Sequence, residues 1–145
     1  IAFLMIGIDH FKAVIDEFDY EIGDRVLVEL AKVIHSNIKK FDLVARLTGD
    51  EFIVAITNNS EYNEVIKIAH SIIADFSLIE VKVSESGQIL KKTICVGIDT
   101  FDISSNNSID DIIKNADIAL YEAKNKGRSE VIYFQKEQSS TIDLF

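Results

Sequence analysis

Proline and tryptophan are absent from this chain, cysteine and methionine occur once each, and glycine occurs only six times in 145 residues. With no proline and no low-complexity tract, nothing marks an internal linker or a kinked helix, and one compact domain over residues 1–145 is expected. A single cysteine forms no internal disulfide, which suits a reducing compartment. Cys95 lies in the apolar run Thr93, Ile94, Cys95, Val96 and reads as a small buried hydrophobe rather than a reactive thiol. Basic charge is also scarce: 15 Lys and Arg against 24 Asp and Glu leave a formal charge of −9. That balance repels polyanions, so long nucleic acid and anionic membrane surfaces are disfavoured as partners. A single nucleotide is still admissible, because a divalent cation bridges carboxylates to phosphates. The longest apolar run, Ile1 to Ile8, is far short of the ~20 residues of a membrane helix and lacks the features of a signal peptide. Its abrupt start suggests a chain cut from a longer one just before a core strand.

What is present is apolar patterning. Hydrophobic residues make up 48% of the chain, enough for one sizeable core without staples. Ile1 to Ile8 reads as a strand buried on both faces. His10 to Phe18 reads as a short helix leading into a longer one over Ile22 to Ile38, whose Leu27, Leu30, Ala31, Ile34 and Ile38 recur every three or four residues. Leu43 to Leu47 and Phe52 to Ile56 form a hairpin around Thr48, Gly49, Asp50 and Glu51. Ser60 then reads as the N-cap of a helix carrying Val65, Ile68, Ala69, Ile72, Ile73 and Phe76 on one face. Strands over Ile79 to Val83 and Leu90 to Ile98 flank the turn at Ser84 to Gly87. A last helix runs from Ser108, with Asp111 as capping partner, to a left-handed stop at Gly127, and buries Ile109, Ile112, Ile113, Ala116, Leu120 and Ala123. Val131 to Phe134 closes the chain as a strand. The order predicts an α+β, ferredoxin-like βαββαβ fold: an antiparallel sheet with helices on one face, plus an extra hairpin.

In such a fold the end of the first strand lies beside the hairpin tip, bringing Asp9 towards Asp50 and Glu51, a carboxylate set that suits Mg²⁺. An acidic hairpin tip taken alone is more often a solvated turn. Three segments add to it. The hairpin reads Arg46-Leu47-Thr48-Gly49-Asp50-Glu51-Phe52; upstream stand Ile8-Asp9-His10-Phe11-Lys12 and Ile22-Gly23-Asp24; downstream, Ala116 to Arg128 reads ADIALYEAKNKGR. In these segments the chain resembles the GGDEF family of cyclic-di-GMP signalling, over nearly its whole length, although the family's opening helix is missing.

The resemblance implies a nucleotide-cyclase, palm-type fold and a domain that condenses two GTP molecules into cyclic-di-GMP. It implies an antiparallel homodimer, Mg²⁺ or Mn²⁺ on the phosphates, a cytoplasmic location for the domain, and a fused sensory or phosphodiesterase domain. By position, Asp50 and Glu51 are the catalytic carboxylates, with Asp50 and the Ile8 backbone as metal ligands. Gly49 lets the backbone approach the nucleotide. Lys12, Lys124 and Arg128 face the phosphates, and Asp24 accepts hydrogen bonds from guanine.

Several positions depart from the family pattern. Gly7 stands where the family has a metal-binding Asp. Asp9 is a poor substitute, being taken to point to the other face of the strand. Ile15 stands where a guanine-binding Asn is usual, Asp19-Tyr20 replaces Gly-His, Thr48 replaces the first signature Gly, and Ser129 replaces an Asn. Lys39-Lys40-Phe41-Asp42 replaces the Arg-x-x-Asp of the product-inhibition site, and Lys39 lacks the flat fork with which Arg grips guanine or phosphate. The departures favour a domain with impaired catalysis that senses GTP or regulates a partner. The alternatives are an active cyclase and a dimerisation module that binds no nucleotide. A nucleic-acid polymerase palm fits the acidic charge worst.

Overall fold

The computed structural model describes residues 1–57, 61–104 and 106–134. In chain order these form β1 (Ala2–Ile8), α1 (Phe11–Phe18), α2 (Tyr20–Asn37), β2 (Leu43–Arg46), β3 (Glu51–Ile56), α3 (Tyr62–Ser77), β4 (Val81–Lys82), β5 (Ile89–Leu90), β6 (Ile94–Thr100), α4 (Ile109–Lys126) and β7 (Val131–Tyr133). The main sheet has the order β2-β3-β1-β6-β7, and β4 pairs with β5 as the separate hairpin that the sequence predicts. Strands β2, β3, β1 and β6 each run antiparallel to their neighbours and carry the ferredoxin-like core; β7 joins β6 in parallel.

β1 is buried at all seven residues, as its unbroken apolar run requires of a central strand. One face of the sheet presents Leu4, Ile6, Ile8, Val54, Val96 and Ile98 to the apolar stripes of α2 and α3. The expectation of helices on one face fails here. Met5 and Cys95 point the other way and pack against Ala116, Leu120 and Ala123 of α4, so a second, smaller core lies on the opposite face. A strand with no polar residue has two apolar faces to cover, and α2 and α3 cover only one.

Glycine sets how closely α4 approaches. A Cβ built on Gly97 would lie 2.2 Å from both the Ala116 carbonyl oxygen and the Leu120 nitrogen, so the helix backbone rests directly on the strand backbone. Gly7 lies on the same face, on the neighbouring strand, where β1 pairs Met5 with Gly97 and Gly7 with Cys95.

Local signals fare unevenly. The Ser108 hydroxyl accepts from the Asp111 amide while the Asp111 carboxylate accepts from the Ser108 amide, the reciprocal cap expected at the start of α4. Gly127 ends that helix at φ 143° and ψ −141°, an extended glycine conformation rather than the left-handed helical one. Ile109, expected in the buried stripe, is exposed at the first position of α4, and the buried stripe starts at Ile112. Helix α2 starts two residues before Ile22, with the Asp19 side chain accepting from the Glu21 amide. Ser60 lies outside the described residues, and the N-cap position of α3 is Glu61. The strand expected over Leu90 to Ile98 is two strands, β5 and β6, in different sheets. Lys91, Lys92 and Thr93 interrupt it and carry the chain from the small hairpin into the main sheet.

Two outcomes follow from the second core. Gly97→Ala forces α4 off the sheet and is expected to lower the unfolding free energy by about 1 to 3 kcal/mol in denaturant titration; an unchanged midpoint contradicts the close approach. Burial pushes the Cys95 thiol up to about 11, and its Sγ donates to the Gly127 carbonyl at 3.5 Å. It is therefore expected to react with an aromatic disulfide reagent only on unfolding, and rapid labelling of the native protein contradicts this packing.

Candidate functional site

The hairpin tip between β2 and β3 is a tight turn in which the Glu51 amide donates to the Thr48 carbonyl and the Leu47 amide to the Glu51 carbonyl, both at 2.9 Å. Arg46 Nε donates to the Gly49 carbonyl at 2.8 Å and holds the loop from outside. Gly49 has φ +51°, and nothing lies within 4 Å of a Cβ built there. The space over its Cα is open.

Asp50 is aimed at the end of β1, where its Oδ2 accepts the Ile8 amide hydrogen at 3.1 Å. Ile8 thus meets Asp50 through its backbone N–H. The Lys124 ammonium, from the last turns of α4, stands 3.7 Å from the same Asp50 oxygen. It occupies the space above Gly7: a Cβ at residue 7 would lie 2.8 Å from Lys124 Nζ and 2.9 Å from its Cε. A lysine ammonium therefore fills the volume that a side chain at position 7 would take.

Glu51 sits directly opposite Gly7 in the β1–β3 pairing. Burial raises its carboxyl pKa; Asp117 adds to the rise, Lys124 opposes it and Asp50 adds further. Asp117 is a nearby negative charge on α4 that the sequence analysis does not single out. The signal was available, since Asp117 and Lys124 are seven residues apart on one helix and so share a face.

Asp9 does not join this group. It was expected on the opposite face from Gly7, yet a two-residue period puts the two on the same side. Its carboxylate is withheld for another reason: Oδ2 accepts from Thr93 Oγ1 at 2.6 Å and from the Ser129 amide at 3.2 Å, and the residue is only 4% exposed. Asp9 is a structural tie between β1, the start of β6 and the chain after α4. Beside it, His10, Lys91, Lys92, Thr93 and Arg128 line a cavity of about 240 Å³. Burial, and then Arg128, hold the Lys92 ammonium below the ordinary lysine range.

The remaining expected residues are spread out. Lys12 is exposed on α1. Asp24 is exposed on α2 and lines a cleft of about 420 Å³ with Val28, Val81 and Lys82. Ile15 lies across Gly23, where a Cβ would stand 2.4 Å from Ile15 Cδ1, so an apolar contact occupies the ground next to Asp24. Asp42 closes the base of the hairpin: Oδ2 accepts the Lys39 amide at 2.9 Å and Oδ1 the Thr57 amide at 3.0 Å. Its carboxylate already serves the fold, and the Lys39 side chain is exposed to solvent.

Among the described residues no group of three or more His, Cys, Asp or Glu side chains is placed to hold a metal ion. Asp50 has an ammonium beside it, Gly7 supplies no ligand, and Asp9 is committed elsewhere. The residues present do not fit a divalent cation. Nor, among the described residues, is any helix long and apolar enough to cross a membrane.

The diguanylate cyclase GGDEF domain family matches residues 1–130. Diguanylate cyclase A of Treponema denticola is 38% identical over 133 residues, covering 90% of this chain and 34% of that protein. The solved structure of the active GGEEF domain of a diguanylate cyclase from Vibrio cholerae superposes with a TM-score of 0.80 at 29% identity, over 93% of this chain and 83% of that one. A sensory box/GGDEF family protein from Caulobacter crescentus gives 0.73 at 31% identity, over 87% and 79%. The chain spans about a third or less of the length of the curated relatives it matches. A match across nearly the whole chain, on the same fold and with the hairpin tip open at Gly49, places it in one family: the chain belongs to the GGDEF family, the diguanylate cyclase domain of cyclic-di-GMP signalling.

Proposed function

We propose that this GGDEF domain binds GTP and regulates a partner, with cyclase turnover largely lost. The observation that carries this reading is the Lys124 ammonium above Gly7, 3.7 Å from Asp50. A cyclase has to stabilise charge that develops on the phosphates and on the attacking 3′-hydroxyl. Here the carboxylate with which the family would hold a metal for that purpose is absent, and the Mg²⁺ or Mn²⁺ of the family forms no part of the proposal. Loss of one preorganised stabilising group commonly lowers a rate by ~10²- to 10³-fold. Ile15 adds an apolar contact next to Asp24 where guanine would be read, which favours weak rather than tight binding of the base.

The same reading takes the domain to act as a homodimer, fused in the whole protein to a sensory or phosphodiesterase domain. Support comes from the short span of this chain against its relatives and from a sensory box protein among them. Lys12, Lys124 and Arg128 contact the triphosphate and Asp24 the guanine edge. The Lys39 and Asp42 pair has no role in tight product feedback.

An active cyclase is the second reading, favoured by the persistence of Asp50, Glu51, Lys124 and Arg128 at the positions of the motif. Incubation of the full-length protein with GTP and Mg²⁺ or Mn²⁺ separates the two. The regulatory reading expects cyclic-di-GMP at background level and a rise of roughly tenfold or more in Gly7→Asp; ready formation by the unmodified protein, abolished in Asp50→Ala, establishes the active cyclase instead. Calorimetry tests the binding half. Asp24→Ala is expected to weaken GTP binding by about tenfold, and identical binding removes Asp24 from the site.

A further inference from the structure

The metal expected from the family and the cation that the structure holds at Asp50 are different species. Lys124 reaches Asp50 from α4, and it does so because two glycines on one sheet face leave room: Gly97 for the helix backbone, and Gly7 for the lysine's own tip. The Asp50 side chain is 24% exposed and the Lys124 side chain 35%, so the carboxylate is partly shielded while the lysine reaches it from the rim of the site. Asp50 is fixed from its other side by the Ile8 amide. The carboxylate is thus already neutralised by a tethered positive charge and oriented by a backbone donor. Glu51, opposite Gly7 in the β1–β3 pairing, feels the same ammonium, which offsets part of the negative charge at the hairpin tip that would otherwise repel a phosphate.

We propose that the Lys124 ammonium is the resident cation of this site: lodged in the space that Gly7 leaves and paired with Asp50, it takes the place of a divalent metal ion, so that a nucleoside triphosphate binds without one. The nucleotide half of this statement rests on the GTP-binding reading above. An ammonium has three donors, and at 3.7 Å from Asp50 it is held as an ion pair rather than by a hydrogen bond, so its donors are left to meet a phosphate oxygen. A single charge on a flexible stem bridges carboxylate and phosphate but does not polarise a hydroxyl as a metal ion does. The substitution at residue 7 therefore preserves binding while removing the chemistry.

Two measurements test this. In the first, Mn²⁺ is added to the nucleotide-free, ¹⁵N-labelled protein, and paramagnetic broadening of the Ile8, Asp50 and Glu51 amides is compared with that of Asp110, an exposed carboxylate on α4. The unmodified protein is expected to show no preference for the hairpin tip. Lys124→Gln, and Gly7→Ala, whose Cβ must push the ammonium aside without adding a ligand, are expected to broaden the tip selectively at a Mn²⁺ level about tenfold lower. Their spectra also report whether they fold. Selective broadening in the unmodified protein, or none in either variant, overturns the proposal. The second measurement is calorimetry with GTP in Mg²⁺ and in EDTA. Affinities within about threefold of each other are expected for the unmodified protein, with a loss of about tenfold or more in EDTA for Lys124→Gln. A strict Mg²⁺ requirement in the unmodified protein overturns the proposal. Absence of GTP binding in both buffers defeats the GTP-binding reading and the nucleotide half with it, while the Mn²⁺ experiment still decides the resident cation.

Discussion

Helix α4 rests on the sheet with its backbone touching the backbone of β6, and this contact exists only because Gly97 lacks a side chain. A larger residue there would lift the helix and carry its last turns away from the hairpin tip. The close approach buries Ala116, Leu120 and Ala123 against Met5 and Cys95, and it delivers Lys124 to Asp50 across the face of β1. The candidate site is thus a consequence of packing on the sheet's second face. The hairpin, the central strand and the last helix each contribute one part of it: an anchored carboxylate, an empty position and a cation.

The empty position decides the chemistry. A carboxylate at residue 7 beside Asp50 would form an acidic pair needing a divalent cation. Glycine there removes one negative charge and opens a volume, and the lysine fills it. Cation and carboxylate then balance within the protein. Asp9, two residues on, does not restore the missing ligand, because Thr93 and the Ser129 amide hold its carboxylate in a structural tie. The neighbouring cavity lined by Lys92 and Arg128 keeps positive charge close by, which suits an anionic ligand even though the domain as a whole is acidic.

Elements set by local pattern were readable in the sequence. β1 has no polar residue and so had to be central; α4 carries its own capping box; the hairpin tip is marked by Gly49 between two apolar runs. Elements set by tertiary contact were not. Periodicity cannot say that α4 crosses to the other face of the sheet, since its alanine stripe is equally compatible with either. The break between β5 and β6 falls at Lys91 to Thr93, three non-strand residues that carry no glycine or proline to mark a turn in the sequence. The site was legible as a set of motif positions, and Asp50, Glu51, Gly49 and Lys124 do converge. That Lys124 stands in the space of residue 7 could not be read, because glycine is silent in a pattern of charges. Asp117 could have been, from its spacing to Lys124.

Which cation faces Asp50 when nucleotide is present decides between binding and catalysis at this site. A crystal structure with a non-hydrolysable GTP analogue and Mn²⁺, recorded for anomalous scattering, addresses this most directly. The prediction is Lys124 Nζ between Asp50 and a phosphate oxygen, with no anomalous peak within bonding distance of Asp50. A Mn²⁺ ion bound to Asp50, with Lys124 displaced from above Gly7, would contradict it.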